Sequence, residues 1–315
     1  MRLATFNVEN LFTRYLFARG IDPRSAGRHG FTADDLRFRL SEPESKRLTA
    51  ETMLATRADV FALQEVESLP VLKQFRDQHL GGASNWPYAL VIDGNDSRGI
   101  DVGVLSRYPI VHARSWQYLE IGDRYAFDRD CLEVDLETPL GVLTLYVNHF
   151  KSMRAPNRTD GHGRALTRAR REEQARSVRE IVCSRFGDDP SDGAFVVLGD
   201  FNDYVTDDHQ GRSGIRSLVQ WSAVENVVDR LPEAERWTHY FPGYANEGLA
   251  PAYRQLDFLL PSRRLARLNP GVPEIERRGQ PGRATRYAGP RLPGVGHRRP
   301  KASDHCPLVF EIEAL

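Results

Sequence analysis

Two short polar motifs stand at opposite ends of the chain, each at the tip of a brief apolar run. Thr5-Phe6-Asn7-Val8-Glu9-Asn10 lies near the start, and Ser303-Asp304-His305-Cys306-Pro307 comes immediately before the last hydrophobic strand. If both tips belong to one site, the two ends must lie side by side and residues 1–315 must fold as one catalytic domain. Length permits this, since large α/β sandwiches run to such sizes as single domains.

The charge balance removes one simple account of function. With 43 basic and 43 acidic side chains, the global field steers nothing toward nucleic acid, so attraction for a polyanion has to come from local clustering. A hydrophobic fraction of 40% and a charged fraction of 27% are those of a soluble globular protein. No apolar run approaches the ~20 residues needed to span a bilayer. Cys131, Cys183 and Cys306 cannot all pair with one another and show no CxxC spacing, which argues against a disulfide framework or structural zinc site and favours a reducing compartment. The first strand starts at about Arg2 and reaches a candidate site residue by Asn7, leaving no room for a secretory signal, so the expected location is cytoplasmic.

Short apolar runs predict strands over Ala58 to Leu63, Ile100 to Leu105, Val142 to Asn148, Phe195 to Leu198, Leu256 to Leu260 and Leu308 to Ile312. Helical character covers Thr49 to Thr56 and Leu69 to Leu80. Arg164 to Cys183 carries good helix formers, with Ala175, Val178, Ile181 and Val182 on a buried face. Residues 13 to 45 and 265 to 302 are the least regular and read as excursions from one core.

Polar residues gather where those runs end: Asn7; Gln64-Glu65; Asn148-His149-Phe150-Lys151-Ser152; Gly199-Asp200-Phe201-Asn202-Asp203; Gln255-Leu256-Asp257; and Ser303-Asp304-His305. A buried carboxylate is costly unless paired or bound to a metal, so repeated acids at core strand ends call for a shared explanation. The plainer reading makes each a loop cap, because Asp and Asn favour turns anyway; six together favour a cation. Oxygen donors without thiolates select Mg²⁺ or Mn²⁺, with Ca²⁺ as the alternative, over zinc. Glu65 is the leading ligand, Asp304 a second, and Asn7 either touches the ion or orients one of its waters. Asp257 sits inside an apolar strand, where a hydrogen bond to His305 would satisfy it and fix the imidazole tautomer. Asp101 stands in the same relation to His149.

In order, these segments resemble the endonuclease/exonuclease/phosphatase superfamily, the metal-dependent phosphoesterases that include DNase I, and the likeness spans residues 3 to 310. It implies an α/β (α+β) fold, a four-layer sandwich of two packed mixed β-sheets flanked by helices, with the site where strand ends converge at one edge. It further implies Glu65 as principal metal ligand with Asn7 and Asp304 close to the ion, Asp200 and Asn202 orienting the nucleophile or holding a second cation, and Asp257 supporting His305. His149, supported by Asp101, would contact the scissile phosphate, as would Arg129, for which Arg124 is a close competitor. Val8-Glu9-Asn10-Leu11 and Gly99-Ile100-Asp101-Val102-Gly103 depart from the abasic-endonuclease pattern. Val197-Leu198-Gly199-Asp200-Phe201-Asn202 and Asp257-Phe258 depart from that of the inositol phosphatases.

Two basic groups flank these segments: Arg154, Arg158, Arg164, Arg168, Arg170, Arg171, Arg176 and Arg179, and then Arg283, Arg286, Arg291, Arg298, Arg299 and Lys301. They suit a phosphate backbone, although Arg168 to Arg179, mixed with Glu172 and Glu173, also has the look of a solvated helix face. Trp237, His239, Tyr240, Phe241 and Tyr244 offer stacking surface or core. The leading expectation is a metal-dependent nuclease with DNA or RNA as its substrate. A small-molecule or phospholipid-headgroup phosphoesterase comes second and a non-catalytic binding module third, and no protein partner is identifiable.

Overall fold

In the computed structural model the described residues are all but 18, 19, 23–27, 31, 33, 35, 41, 97, 155–162 and 244–248, with backbone alone for 14–17 and 36–40. Arg158 and Tyr244, named above, lie outside them.

Strand alternation dictates the architecture. In β1 (Arg2–Leu11) Leu3 joins one apolar cluster while Ala4 and Phe6 join another, so the strand is buried on both faces. β2 (Val60–Val66) repeats the pattern, with Val60 and Ala62 on the first face and Phe61 and Leu63 on the second. With β3 (Tyr88–Val91) and β4 (Asp101–Ser106) they form one side of the molecule. The other side is built from β5 (Ile110–Arg114), β6 (Cys131–Thr138), β7 (Gly141–His149) and β8 (Phe195–Asp200). A short ribbon, β9 (His239–Phe241) with β10 (Ala252–Arg254), precedes β11 (Asp257–Pro261), β12 (Glu274–Ile275) and β13 (Leu308–Glu311). The six-stranded sheet runs β12-β13-β1-β2-β4-β3 and the five-stranded sheet β11-β8-β7-β6-β5. The pairs β1–β2 and β7–β8 are parallel and their neighbours antiparallel, so both sheets are mixed.

Leu3, Ala62 and Val104 of the first sheet share one buried cluster with Val134, Leu145 and Leu198 of the second. The outer face of the first sheet is covered by α1 (Pro43–Ala55) and α2 (Leu69–His79), through Met53, Leu72 and Phe75. That of the second is covered by α3 (Gly163–Phe186), whose Ala175, Val178, Ile181 and Val182 meet Phe195, Val197 and Phe258. These are the expected layers of helix, sheet, sheet and helix. Among the described residues no helix is long and apolar enough to cross a membrane.

β6 was hidden in the sequence because Glu133 and Asp135 interrupt its apolar residues. Leu132, Val134 and Leu136 face the sheet interface, and both acids, on the opposite face, pair with Arg185 at the end of α3. The β2 strand runs further than Ala58 to Leu63 suggested, through Glu65.

α3 is fixed by a buried ion network as well as by its apolar stripe. The carboxylate of Asp203, just past β8, accepts from Arg164 Nε at 2.7 Å, Arg171 Nε at 2.8 Å, and the backbone N–H groups of Tyr204 and Gly214 at 2.9 and 2.8 Å. Asp203 and Arg171 are fully buried and Arg164 nearly so. Removing the Asp203 carboxylate leaves Arg171 buried without a carboxylate partner among the described residues and Arg164 with Asp208 alone. Asp203→Ala is expected to cost about 3–5 kcal/mol of stability, read as a fall in chemical-denaturation midpoint; a loss under ~1 kcal/mol would show the arginines find other acceptors.

Candidate active site

Asn7 is two residues beyond Thr5 and four beyond inward-facing Leu3, and Asp200 is two beyond inward-facing Leu198. The period of two therefore aims both side chains into the seam between the sheets. There Asn7 Nδ2 donates to Asp200 Oδ2 at 3.1 Å, with both residues buried. Asp200 is also the centre of a row across three neighbouring strands, registered with His149 on β7 and Asp257 on β11. Gly199 permits that row: its φ is +136°, and a Cβ there would meet Asn148 O at 1.9 Å, forcing β7 and β8 apart beside the site.

Asn202 turns back on the same carboxylate, its backbone N–H donating to Oδ1 at 2.8 Å and its side-chain amide to Oδ2 at 3.0 Å. The amide also reaches Phe150 O at 3.2 Å, which accepts from Arg129 Nη1 at 2.9 Å. Two imidazoles flank Asp200 Oδ2, His149 Nε2 at 3.5 Å and His305 Nε2 at 3.8 Å. His305 Nδ1 lies 2.8 Å from Asp257 Oδ2, the pairing read from the sequence. A carboxylate can only accept, so Nδ1 carries the proton.

Those surroundings push the groups apart in acidity. Burial opposes charge on His305, but Asp257, Asp200 and Asp304 outweigh it and hold the imidazole well above its ordinary value. Burial, reinforced by Arg129 and Arg98, holds His149 well below and keeps it neutral. Burial also pushes Asp200 up to about 7, with Asp257 adding and His305 and the amide donors opposing.

Glu65 breaks the strand rule. Continuing the alternation of β2 would put it on the outer face with Leu63. Instead the β2–β4 register shifts between Gln64 and Val66, and Glu65 takes a φ of 66°, a bulge that re-aims its side chain. Desolvation and the charge of Asp304 raise its pKa, while His305, Arg129 and a hydrogen bond from Asn7 oppose the rise. Asn7 thus touches both Glu65 and Asp200, and its Oδ1 accepts from Glu9 N–H at 3.0 Å. Asp304 stays 35% exposed; Lys301, His239 and His305 overcome its partial desolvation and hold it well below the usual carboxylate range. Glu65 feels the charge of Asp304, and the groups His239, Asp304, His305 and Asp200, Asp257, His305 each bring ligand atoms within 4.8 Å of one another, so the donors here fit a divalent cation. A cleft of about 240 Å³ opens beside Glu9, bordered by Lys46, Thr49, Arg299 and Lys301.

Asp101 does not support His149. Its Oδ1 accepts from Gly94 N–H at 2.8 Å, and His149 Nδ1 is buried with no hydrogen-bond partner. Asp101 lies on the opposite sheet, among Asp93, Asp96 and Asp130, and burial with those charges pushes it up to about 6 despite the Gly94 bond. Arg129 and Arg124 separate cleanly. Arg129 is buried, pairs with Asp96 at 2.8 Å and acts on both Glu65 and His149, whereas Arg124 is held at the surface by Glu173. Two neighbours were not singled out as site residues. Arg98, which pairs with Asp96 at 3.0 Å, joins Arg129 and Lys151 in a cationic rim. His239 packs on His305 with ring centroids 4.6 Å apart and lies 3.8 Å from Asp304 Oδ2. No pattern in the sequence marks His239 as a site residue; it is placed by Thr238, whose Oγ1 accepts from the N–H groups of Leu256 and Asp257 and ties the β9 ribbon to that strand. Trp237 and Tyr240, by contrast, are core.

A model described as the endonuclease/exonuclease/phosphatase family matches residues 4–305. The chain belongs to that family. Its members are hydrolases that act on phosphoesters. No curated protein matches the chain by sequence. Among solved structures it is similar to an endonuclease/exonuclease/phosphatase from Beutenbergia cavernae, with a TM-score of 0.58 at 16% identity, covering 98% of this chain and 70% of that one. Beta toxin from Staphylococcus aureus gives 0.58 at 15% identity over 99% of both chains. D. rerio TDP2, solved with a single-strand DNA product, gives 0.55 at 15%, over 98% of this chain and 97% of that one. At such identities the likeness is one of fold.

The raised pKa of Asp200 has a readable consequence. An acid whose folded value exceeds its unfolded value of ~3.9 costs stability as pH rises through that window, in full above about 7. In chelator, Asp200→Asn should therefore gain melting temperature relative to wild type as pH climbs from about 4 to 8. A difference that stays flat across the window would contradict the assignment.

Proposed function

We propose that the chain is one catalytic unit, a divalent-cation-dependent phosphodiesterase that cleaves nucleic acid by attack of water. The observation that carries this reading is the Asp200 carboxylate held between a neutral and a cationic imidazole, His149 and His305, by the amides of Asn7 and Asn202. Groups of one site whose acidities are driven apart can divide acid and base work.

Asp200, raised toward neutrality, is suited to accept the proton of an attacking water. His305, kept charged and oriented by Asp257, offers Nε2–H to the oxygens where negative charge gathers, and its ring cannot rotate without breaking the Nδ1 bond. His149 and Asn202 supply neutral donors on the same side, and Arg129, with Arg98 and Lys151, gives the rim positive charge matched to a phosphodiester. A Mg²⁺ or Mn²⁺ ion held by Glu65 and Asp304 would supply Lewis-acid stabilisation of phosphate charge. Asn7 holds Glu65 and Asp200 in one frame, whether or not it also touches the ion. Asp101 acts at a remove, in the acidic wall beside Arg129. Nucleic acid is favoured over a small ester by two basic groups, Arg98, Arg129 and Lys151 near His149 and Arg299 with Lys301, paired to Glu9, at the cleft of about 240 Å³. The single-strand DNA product bound by the TDP2 relative is consistent with that preference.

The purified protein should cleave single- or double-stranded DNA or RNA with Mg²⁺ or Mn²⁺ and stop in chelator. His305→Ala should lower kcat by about 10²–10⁴ with the melting temperature little changed. Turnover of bis(p-nitrophenyl) phosphate without cleavage of any nucleic acid would move the assignment to a small phosphoester. Separately, Glu65→Gln should weaken Mn²⁺ binding about tenfold or more by calorimetry; wild-type affinity in that variant would place the cation elsewhere.

A further inference from the structure

Away from this site, a groove of about 370 Å³ lies between the outer face of α3 and the segment 212–217, which runs into the single turn α4 (Arg216–Val219). Four arginines, Arg176, Arg179, Arg212 and Arg216, line it against one acid, Glu172. Elsewhere along α3 the arginines are neutralised at close range. Arg168 pairs with Glu172, Arg170 with Glu173 and Asp128, and Arg164 and Arg171 with Asp203. That part of the helix is the solvated or internally paired face its sequence allowed.

The groove departs from that pattern. The acid nearest Arg176 is Glu180 at 3.7 Å, with both side chains more than half exposed. Arg212 is exposed and makes no ion pair within 4 Å among the described residues, its charge acting on Asp207 at longer range. Arg179 has no acidic partner there either. Its guanidinium lies 5.0 Å from the Trp221 ring, Nη1 donates to Ser217 O at 3.3 Å, and Nε is buried with no acceptor. Arg216 is held by Asp207 at 2.7 Å and by Val205 O at 3.0 Å. Arg179 is thus fixed by Trp221 and by Ser217 O in the groove wall, Arg216 by Asp207 and Val205 O outside it, and the two flexible forks of Arg176 and Arg212 hang over the groove. That arrangement suits a bidentate oxyanion and leaves a buried donor unsatisfied without one.

The groove is mechanically joined to the reaction centre. Gly214 N–H, in its wall, donates to Asp203 Oδ2, and Asp203 directly follows Asn202. Gln174, little more than one turn before Arg179 on α3, accepts from Lys151 N–H at 2.8 Å. The groove therefore sits roughly 8 Å along the helix from the Lys151 anchor, at ~1.5 Å per residue, about two nucleotide steps of a strand.

We propose that this groove binds phosphate, either a backbone phosphate of the nucleic-acid substrate remote from the scissile bond or a free phosphate in the same cradle; the first source rests on the nuclease reading. Arg176→Glu with Arg212→Glu reverses two exposed charges without touching the reaction centre or the core. Full-length wild type and this variant would be compared for anisotropy of a labelled single strand in chelator across a salt series, for calorimetric binding of inorganic pyrophosphate, and for bis(p-nitrophenyl) phosphate turnover. The strand's affinity is expected to fall about tenfold, and its salt slope by about 1 to 2, with turnover of the small ester unchanged. If the protein cleaves no nucleic acid yet wild type binds pyrophosphate and the variant does not, the groove stands as a free-phosphate site. Equal strand and pyrophosphate binding by both proteins would overturn the proposal, as would a parallel fall in small-ester turnover.

Discussion

One carboxylate ties the two halves of the sandwich together at the point where chemistry is placed. Asp200 belongs to the second sheet, and its partner Asn7 to the first. An ionised group in that seam would cost several kcal/mol unless its lone pairs were filled. Here they are filled by an amide on β1 and by the backbone N–H and amide of Asn202 just past β8, with imidazoles from β7 and from the loop before β13 close by at 3.5 and 3.8 Å. Satisfying Asp200 therefore sets the relative position of the sheets at their edge. The apolar cluster between them provides adhesion without choosing that alignment.

How much of this could be read from the sequence follows from how local each cause is. The Asp257–His305 bond was legible because an acid inside an apolar strand needs a partner, and an imidazole beside a second acid is an obvious one. Asp101 met the same test and failed it: a backbone amide only seven residues away satisfied it first, a solution that side-chain pattern alone does not reveal. Glu65 was recognisable as a residue type but not as a direction, since alternation points it outward and only a bulge with positive φ brings it round. β6 was overlooked because its two acids face a helix that happens to end in Arg185, a pairing fifty residues distant. Patterns with a period were recoverable; compensations between remote segments were not.

Asp203 shows the same dependence from the other side. Its four donors clamp α3 and the 212–217 segment to the end of β8, so the loop carrying Asn202 is held from behind as well as from the site. A fully paired network of this kind gives less net stabilisation than its bond count suggests, because every charge in it has been stripped of water. What it fixes is geometry, since two guanidinium groups and two backbone N–H groups from separate segments converge on one carboxylate.

The antiparallel pairing of β1 with β13 has a consequence for how the protein comes into being. Ser303 Oγ donates to Asn7 O across 296 positions of chain, and Phe310 sits beside Leu3. The β1 edge stays open until β13 pairs with it, and the segment leading into β13 carries Asp304 and His305. Closing that edge and delivering those two side chains to the seam beside Asp200 are therefore one event in the folding of the chain.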